Sequence, residues 1–216
     1  MDKGHFQRKR KTKDPCENCS LHRSLCICKF IPRLNLATKV TLVVHAKELK
    51  RTTNTGKLAL QALVNSALYV RGEGRTALDL TEALQEDYES ILFYPSDEAI
   101  ELSDFVLQKR AKPIQLIVPD GNWRQASKVS IRHPELKGVT RVKISKENTA
   151  RQHLRKEHFM EGMSTLEAIA AALALLEGEP IGEELYKLYQ AKLKATLQGR
   201  GISVGTSNGG EDSSSF

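Results

Sequence analysis

The sequence is poor in aromatic residues and has no long apolar run. Aromatic residues make up 6% of its 216 positions, and the only tryptophan is Trp123. No apolar stretch approaches the roughly 18 residues that a membrane-spanning helix needs. The first residues, Met1 to His5, form no apolar region of the signal-peptide kind. These absences argue against an integral membrane or secreted protein, and we expect a cytoplasmic one with no membrane partner.

Acidic residues are fewer than basic ones. The chain has 33 Lys and Arg against 26 Asp and Glu, a formal net charge of +7, and 40% hydrophobic residues. This hydrophobic content suffices for one domain with a core plus appendages, and not for two large domains. Basic groups release counterions when they bind phosphates, so the charge favours a polyanionic partner, for which RNA is the natural candidate. No sequence feature indicates an obligate protein partner.

Cysteine is also scarce, and all four cysteines lie between positions 16 and 28. Four thiols in so short a segment of an intracellular chain argue for a metal rather than for disulfides. Tetrahedral zinc accepts four thiolates, here two from Cys16-x-x-Cys19 and two from Cys26-x-Cys28. His22 is an alternative ligand, and a redox pair or idle thiols are the other interpretations. Four protein ligands leave no open coordination position, so we expect a structural site.

Segments around this site and at the end of the chain have no core-forming pattern. Residues 1–14 form a basic arm that we expect to be disordered except where the zinc segment at 15–30 orders it. Residues 200–216 are rich in Gly and Ser, which predicts a flexible tail.

A strand-turn-helix pattern lies in the middle of the chain. The apolar run from Ile114 to Val118 ends at Pro119 and is followed by Asp120, Gly121 and a helix-compatible stretch at 123–131. Such a turn lies at the carboxyl edge of an α/β sheet, where ligands bind, so the Asp120 carboxylate would stand at a cleft. The alternative is that Asp120 only forms the turn or caps the helix and that Trp123 packs in the core.

A second strand-loop-helix pattern begins at the β-branched run 39–45. The loop after it ends in Asn54-Thr55-Gly56, which opens a predicted helix whose apolar face runs from Ala59 through Ala62, Leu63 and Ala67 to Val70. Arg51, Asn54 and Thr55 would lie near the amino terminus of that helix, which suits an anion. Simple capping by Asn54 or Thr55 is the alternative interpretation.

Further strands are predicted at 91–94 and 140–144, and further helices at 166–176 and 181–198. Ser164-Thr165-Leu166-Glu167 has the form of a capping box for the first of these helices. The last helix carries a stripe made of Leu185, Leu188, Tyr189, Lys192 and Leu193. Strands that alternate with helices predict an α/β domain with a mostly parallel sheet.

Five short motifs occur in an order that identifies a family. They are Cys16-x-x-Cys19-x6-Cys26-x-Cys28, His45-Ala46-Lys47-Glu48-x-x-Arg51-x-x-Asn54-Thr55-Gly56, Leu92-Phe93-Tyr94-Pro95, Asp120-Gly121-Asn122-Trp123 and Met163-Ser164-Thr165-Leu166-Glu167-Ala168-Ile169. In these motifs the chain resembles the DTW-domain family of tRNA-uridine aminocarboxypropyltransferases, from about position 16 to about position 178. The family's usual Asp-Thr-Trp or Asp-Gly-Thr-Trp reads Asp-Gly-Asn-Trp here, with Asn122 in place of the threonine.

The resemblance implies a catalytic domain over residues 31–199, with a SPOUT-like sheet and a carboxyl-terminal trefoil knot that holds S-adenosylmethionine. It implies transfer of the 3-amino-3-carboxypropyl group of that co-substrate to N3 of a tRNA uridine. Attack by N3 needs a base within hydrogen-bonding reach of its proton, and Asp120 is the carboxylate that we expect to serve. The cofactor-binding residues would be Pro119, Gly121, Trp123, Ile144, Ser164, Thr165, Arg51, Asn54 and Thr55.

Arg51 would hold the carboxylate of the transferred group. Contacts to RNA are expected from Arg124 and Lys128 on the helix and from Arg151 and Arg155 in the cationic stretch 148–158, for which a solvated loop is the alternative. The rival functions are an RNA methyltransferase of the same class, a ribosomal-RNA aminocarboxypropyltransferase, and a noncatalytic zinc-bearing RNA-binding module.

Overall fold

A computed structural model describes residues 12–49, 51–74, 77–145 and 163–202. Its centre is a six-stranded, all-parallel sheet in the order β2-β1-β5-β3-β6-β4. The strands are β1 (Lys39–His45), β2 (Ser66–Arg71), β3 (Glu89–Phe93), β4 (Ile100–Glu101), β5 (Ile114–Asp120) and β6 (Thr140–Lys143). The helices are α1 (Ala46–Leu49), α2 (Gly56–Ala62), α3 (Leu102–Val106), α4 (Trp123–Arg132), α5 (Thr165–Glu177) and α6 (Glu179–Gly199). The predicted α/β class with a parallel sheet is confirmed.

The sheet separates two apolar cores. Val40, Leu42 and Val44 of β1 face the larger core, which α2, α5 and α6 cover. Val43 faces a smaller core together with Ile117 of β5 and side chains of α4. Because both faces are covered, the central strands are almost continuously apolar, as parallel strands usually are. Within the described residues, no helix is long and apolar enough to cross a bilayer.

The prediction that one helix continues from Asn54-Thr55-Gly56 to Val70 is wrong. Helix α2 ends at Ala62, and residues from Ser66 onward form β2, which pairs with β1. Tyr69 and Val70 favour a pleated surface, and pairing with β1 satisfies the backbone groups that a helix would have satisfied internally. The run of apolar residues was therefore compatible with either structure until the sheet selected one.

Strand β5 lies between β1 and β3, which both precede it in the chain, and it extends beyond its predicted end. Its pairing with β3 stops at Ile117, whereas its pairing with β1 continues through Pro119 to Asp120. A proline lacks an amide hydrogen and is best tolerated where a ladder ends on one side. Asp120 thus becomes the last residue of the central strand.

The two carboxyl-terminal helices match their predictions closely. The Ser164–Glu167 capping box is present, and all five stripe residues of α6 named above are buried. Gly182 allows α6 to approach α5 closely, since a Cβ atom there would lie 2.6 Å from Ala174 Cβ and 2.9 Å from Ala170 O.

Three predicted features lie outside the described residues. The segment 146–162 contains Arg151 and Arg155, so their RNA contacts stay predictions, as does the trefoil knot. Residues 1–11 of the basic arm and 203–216 of the tail also lie outside.

The contact at Gly182 predicts the effect of a substitution. Alanine is normally favoured over glycine inside a helix by about 1 kcal/mol. We expect Gly182→Ala to lower the free energy of unfolding by about 1 to 3 kcal/mol, because α5 and α6 must separate. Denaturant titration measures this change.

The matched control is Gly199→Ala in the same helix, where a Cβ atom would meet only the flexible end of Leu25, at 3.3 Å. We expect this control to lie within about 0.5 kcal/mol of the parent protein. Equal stability of the Gly182→Ala protein and the parent would contradict the proposed tight contact.

Candidate active site and metal centre

The buried carboxylate of Asp120 holds three segments together at the carboxyl edge of the sheet. Asp120 is 7% exposed. Its Oδ2 accepts a hydrogen bond from Asn54 Nδ2 at 2.5 Å, and its Oδ1 accepts one from Thr165 Oγ1 at 2.5 Å. Both carboxylate oxygens therefore act as acceptors, as in an ionised side chain. The segment before α2, the end of β5 and the start of α5 meet at this one group.

Asn54 has two roles at once. Its Oδ1 accepts a hydrogen bond from Lys57 N at 2.9 Å, which caps α2, while its amide nitrogen donates to Asp120. The neighbouring Thr55 accepts a hydrogen bond from Leu166 N through Oγ1 at 3.2 Å, so it joins the same two segments. The capping interpretation thus holds at Asn54, together with a bridge to Asp120 that the sequence did not predict, and anion binding stays a prediction.

Gly56 permits this close approach of α2. A Cβ atom at Gly56 would lie 2.9 Å from Asp120 Oδ2 and 2.9 Å from Leu42 Cδ2. No side chain fits there without moving the strand or the carboxylate. The sequence motif Asn-Thr-Gly contained this glycine, but only the packing shows what it is for.

Asn122 replaces the family threonine and acts as a helix cap. Its side chain accepts a hydrogen bond from Gln125 N at 2.9 Å, and the Gln125 side chain accepts one from Asn122 N at 2.9 Å. Asparagine and threonine are both good amino-terminal caps, so the substitution preserves the start of α4. Gly121 lies against the same glutamine, since a Cβ atom there would be 2.8 Å from Gln125 Oε1.

The remaining predicted cofactor residues are distributed along the same edge. Pro119 lies in β5, Trp123 is the first residue of α4, and Ile144 follows the last residue of β6. Ser164 caps α5, where its Oγ accepts a hydrogen bond from Glu167 N at 3.4 Å. These residues therefore occupy the ends of β5 and β6 and the starts of α4 and α5.

Arg51 lies apart from the Asp120 carboxylate. Its guanidinium pairs with Glu48 at 3.3 Å and is half exposed. It lines a small cavity of about 20 Å³ between the cysteine segment, α2 and α6, together with Asn54, Lys57 and Lys192. That volume holds about one water molecule. Asn54 lines the cavity and also donates to Asp120, whereas Arg51 lines the cavity and pairs with Glu48.

The four cysteines form a compact cluster. All four sulfur atoms lie within 4.8 Å of one another, and none of them is in a disulfide. The Sγ atoms of Cys16 and Cys28 are 3.6 Å apart, and those of Cys19 and Cys26 are 3.8 Å apart. Zinc–sulfur bonds of about 2.3 Å in a tetrahedron place the sulfurs about 3.8 Å apart, so the cluster fits a zinc ion.

The electrostatic surroundings of the sulfurs differ. Backbone N–H groups of Cys19 and Asn18 lower the pKa of the Cys16 thiol to about 6, whereas burial raises the pKa of the Cys28 thiol to about 12. His22 is not a member of the cluster, and its Nδ1 is hydrogen-bonded to Ser24 Oγ at 2.8 Å. The cluster therefore consists of the four cysteines, without the histidine that the sequence offered as an alternative ligand.

A buried lysine docks the cysteine segment onto α6. Lys192 is 2% exposed, and its Nζ donates a hydrogen bond to the carbonyl oxygen of Cys19 at 3.0 Å. Burial lowers the pKa of Lys192, while the nearby Cys19 and Cys28 thiols act in the opposite direction. On the other side of the segment, Gln61 of α2 donates to Asn18 Oδ1 at 2.8 Å. The helical pattern of the sequence predicts Lys192 on the apolar stripe of α6 but does not indicate that it contacts the cysteine segment.

The chain was compared with known proteins. The DTW domain matches residues 13–197, which is most of the chain. The chain belongs to the DTW-domain family. It is 26% identical over 194 residues to a Macaca fascicularis protein named tRNA-uridine aminocarboxypropyltransferase 2, covering 87% of this chain and 65% of the relative.

Proteins of the same name from two other animals are also similar. The Mus musculus protein is 26% identical over 189 residues, covering 85% of this chain and 63% of the relative. The Drosophila melanogaster protein is 27% identical over 176 residues, covering 78% and 68%. The chain thus spans just under two thirds of the length of the two mammalian relatives. No solved structure matches the chain.

The hydrogen bond between Asn54 and Asp120 predicts a pH-dependent stability defect. Asn54→Asp keeps the cap on Lys57 N but replaces the donor to Asp120 by a second carboxylate. Like charges this close raise the pKa of one carboxyl in the folded protein. The folded protein then gains stability at low pH, below the unfolded pKa, and loses it as pH rises through the raised pKa. We expect a destabilisation of about 2 kcal/mol or more near neutral pH that shrinks towards about pH 4.

Denaturant titrations at several pH values measure this difference. Asn122→Asp is the matched control, because it also keeps a cap and introduces an acid at a helix amino terminus, where negative charge is favourable. A pH-independent effect of Asn54→Asp would show that its side chain has moved away from Asp120.

Proposed function

We propose that this protein transfers the 3-amino-3-carboxypropyl group of S-adenosylmethionine to N3 of a uridine in tRNA, in the variable loop, and releases methylthioadenosine. The observation that carries the proposal is the convergence of three family motifs on Asp120, through Asn54 and Thr165. Membership of the DTW-domain family and the names of the relatives support the choice of reaction. A tRNA substrate fits a cytoplasmic enzyme.

In the proposed reaction, the uridine N3–H bond and the sulfonium–methylene bond break, and a bond forms between N3 and the methylene carbon. The N3 proton passes to a base, and the sulfonium electron pair leaves with methylthioadenosine, so charge and atoms balance. S-adenosylmethionine supplies the activated carbon, and the protein selects the methylene over the methyl group by orientation. Asp120 is the proposed base, since a base must lie within hydrogen-bond reach of that proton.

The carboxyl edge of the sheet supplies the proposed cofactor site. Pro119, Gly121 and Trp123 would contact S-adenosylmethionine from the end of β5, Ile144 from the end of β6, and Ser164 and Thr165 from the start of α5. Asn54 and Thr55 would contact S-adenosylmethionine from the segment before α2. Arg51 is proposed to hold the carboxylate of the transferred group. A SPOUT-like trefoil knot formed by the connection to α5 belongs to the same proposal.

RNA contacts are proposed at Arg124 and Lys128 of α4, with Arg151 and Arg155 beyond β6. All four side chains are cationic, and phosphate contacts from Arg and Lys position an RNA without reading its sequence.

We also propose that Cys16, Cys19, Cys26 and Cys28 bind a structural zinc ion. The sulfur spacing supports the proposal, and so does the buried Lys192, whose positive charge complements a tetrathiolate zinc centre of net charge −2. Four thiolate ligands leave no open position for a substrate. The zinc would fix the segment against α2 and α6, next to the Arg51 cavity.

The role of Lys192 predicts a change in metal affinity. Removing a residue that supports metal ligands typically weakens binding by about 10- to 100-fold. We expect Lys192→Met, which keeps the length and burial of the side chain, to weaken zinc binding by about that factor in competition with a chromophoric chelator.

Lys194→Met is the control, because Lys194 lies two residues away in α6 and is exposed. Unchanged zinc affinity in the Lys192→Met protein would remove the charge-partner argument. A purified protein with no zinc and four reactive thiols would refute the metal proposal itself.

The reaction is tested with purified protein, unmodified bulk tRNA and S-adenosylmethionine labelled separately in its methyl and carboxyl carbons. Mass spectrometry of the nucleosides should show carboxyl label on uridine, with methylthioadenosine released. Methyl label on RNA would identify a methyltransferase. In a parallel incubation with ribosomal RNA, label there and none on tRNA would change the target. Absence of label together with tRNA binding would indicate a noncatalytic RNA-binding module.

The role of Asp120 is tested with Asp120→Asn, which keeps the shape of the side chain and removes its basicity. We expect turnover to fall by at least about 100-fold, the range typical of a lost general base, while calorimetry still detects S-adenosylmethionine binding. Retained turnover in the folded variant would rule out the base role. Loss of cofactor binding with loss of turnover would instead identify Asp120 as a residue that only holds the site together.

A further inference from the structure

One side of α4 carries a row of cations. Arg124, Lys128 and Arg132 are spaced four residues apart, so their side chains lie above one another on the helix surface. Arg124 and Arg132 are exposed, and Lys128 is partly buried. The row spans about 12 Å at about 1.5 Å per residue. Of these three, only Arg124 and Lys128 were expected from the sequence to contact RNA.

Arg71 adds a fourth cation from the sheet. It is the last residue of β2, is 9% exposed, and its Nη1 donates a hydrogen bond to the carbonyl oxygen of Gln125 in α4 at 3.0 Å. Burial lowers the pKa of Arg71, and the charge of Arg132 lowers it further. We call Arg71, Arg124, Lys128 and Arg132 the α4 cationic surface.

The positive field of this surface extends to the end of β1. His45 is opposite Arg71 in the parallel register. Burial lowers the pKa of His45, and the charges of Arg71, Lys47 and Lys128 act in the same direction. These are the charges that an approaching phosphate would meet at this corner of the sheet.

The arrangement is unfavourable for the free protein. Like charges four residues apart destabilise a helix. Arg124 lies in the first turn of α4, which contains no acidic residue and where the helix dipole disfavours a cation. In the part of the chain that the structure describes, no carboxylate is within ion-pair distance of any of the four cations. Arg132 in the last turn is the one member that the dipole stabilises.

The surface is adjacent to the proposed catalytic carboxylate but on the other side of the sheet. Asp120 ends β5 and faces α2 and α5, and α4 begins three residues later and covers the smaller core. A chain of phosphates lying along α4 would therefore pass the carboxyl edge of the sheet, at which Asp120 lies.

We propose that the α4 cationic surface, including Arg71 and Arg132, binds consecutive phosphates of the RNA strand that carries the modified nucleotide. The choice of RNA rests on the proposed function. The charge complementarity of the surface does not depend on it.

The test compares two triple variants with the same loss of charge. One is Arg124→Gln, Lys128→Gln, Arg132→Gln, and the control is Lys109→Gln, Lys137→Gln, Lys194→Gln at three exposed lysines elsewhere. Binding of an unmodified tRNA transcript is measured over a range of salt concentrations. Each lost phosphate contact should reduce the slope of log K against log salt by about 0.7 to 0.9.

We expect the surface variant to lose at least about 10-fold in affinity at low salt and about two units of slope, and the control to match the parent. Arg132→Gln alone should lose about one contact. Equal slopes for the surface variant, the control and the parent would overturn the proposal, as would a parent protein that binds no tRNA.

The assay separates this proposal from the proposed reaction because it measures binding only. A parent protein that binds tRNA through this surface but transfers no label would refute the reaction and keep the surface. If the parent transfers carboxyl label and the surface variant binds tRNA as the parent does, the proposed reaction is kept and the proposed surface is refuted.

Discussion

Two hydrogen bonds to the buried carboxylate of Asp120 join segments that are more than forty residues apart in either direction along the chain. The donors, Asn54 and Thr165, lie beside the first turns of α2 and α5, so the carboxylate sets how both helices approach the end of β5. Gly56 is needed because any side chain there would displace the same oxygen atom. The geometry of the candidate site and the packing of the larger core therefore depend on one polar group.

The cysteine segment has a larger structural role than ordering a basic arm. Cys19 and neighbouring apolar residues of the segment are part of the larger core, and its backbone is held by Lys192 from α6 and by Gln61 from α2. A buried ammonium is costly without a compensating negative charge, which a tetrathiolate metal centre supplies. Residues of the cysteine segment also form one wall of the cavity that Arg51 lines, so the segment supports that part of the candidate site.

The carboxyl edge of the sheet has two chemically different sides. The side that α2 and α5 cover holds the carboxylate and its neutral donors, whereas the side that α4 covers presents cations. This division arises because successive side chains of a strand point to opposite faces of the sheet. Val44 and its register partner Asp120 point to one face, and the next register pair, His45 and Arg71, points to the other. A negatively charged polymer that binds the cations on the α4 side is thus separated by the sheet from the carboxylate on the other side, which limits the repulsion between them.

The sequence by itself determined the features that depend on neighbouring residues: the apolar strand β1, the capping box at Ser164, the buried stripe of α6 and the cysteine cluster. Local hydrogen bonds, periodicity and short spacings decide these. Only the tertiary structure decided that Tyr69 belongs to a strand, that Lys192 faces the cysteines, and that Asn54 and Thr165 meet at Asp120. Those outcomes depend on the order of strands in the sheet, and the energy that fixes this order comes from contacts between distant residues that no local pattern records.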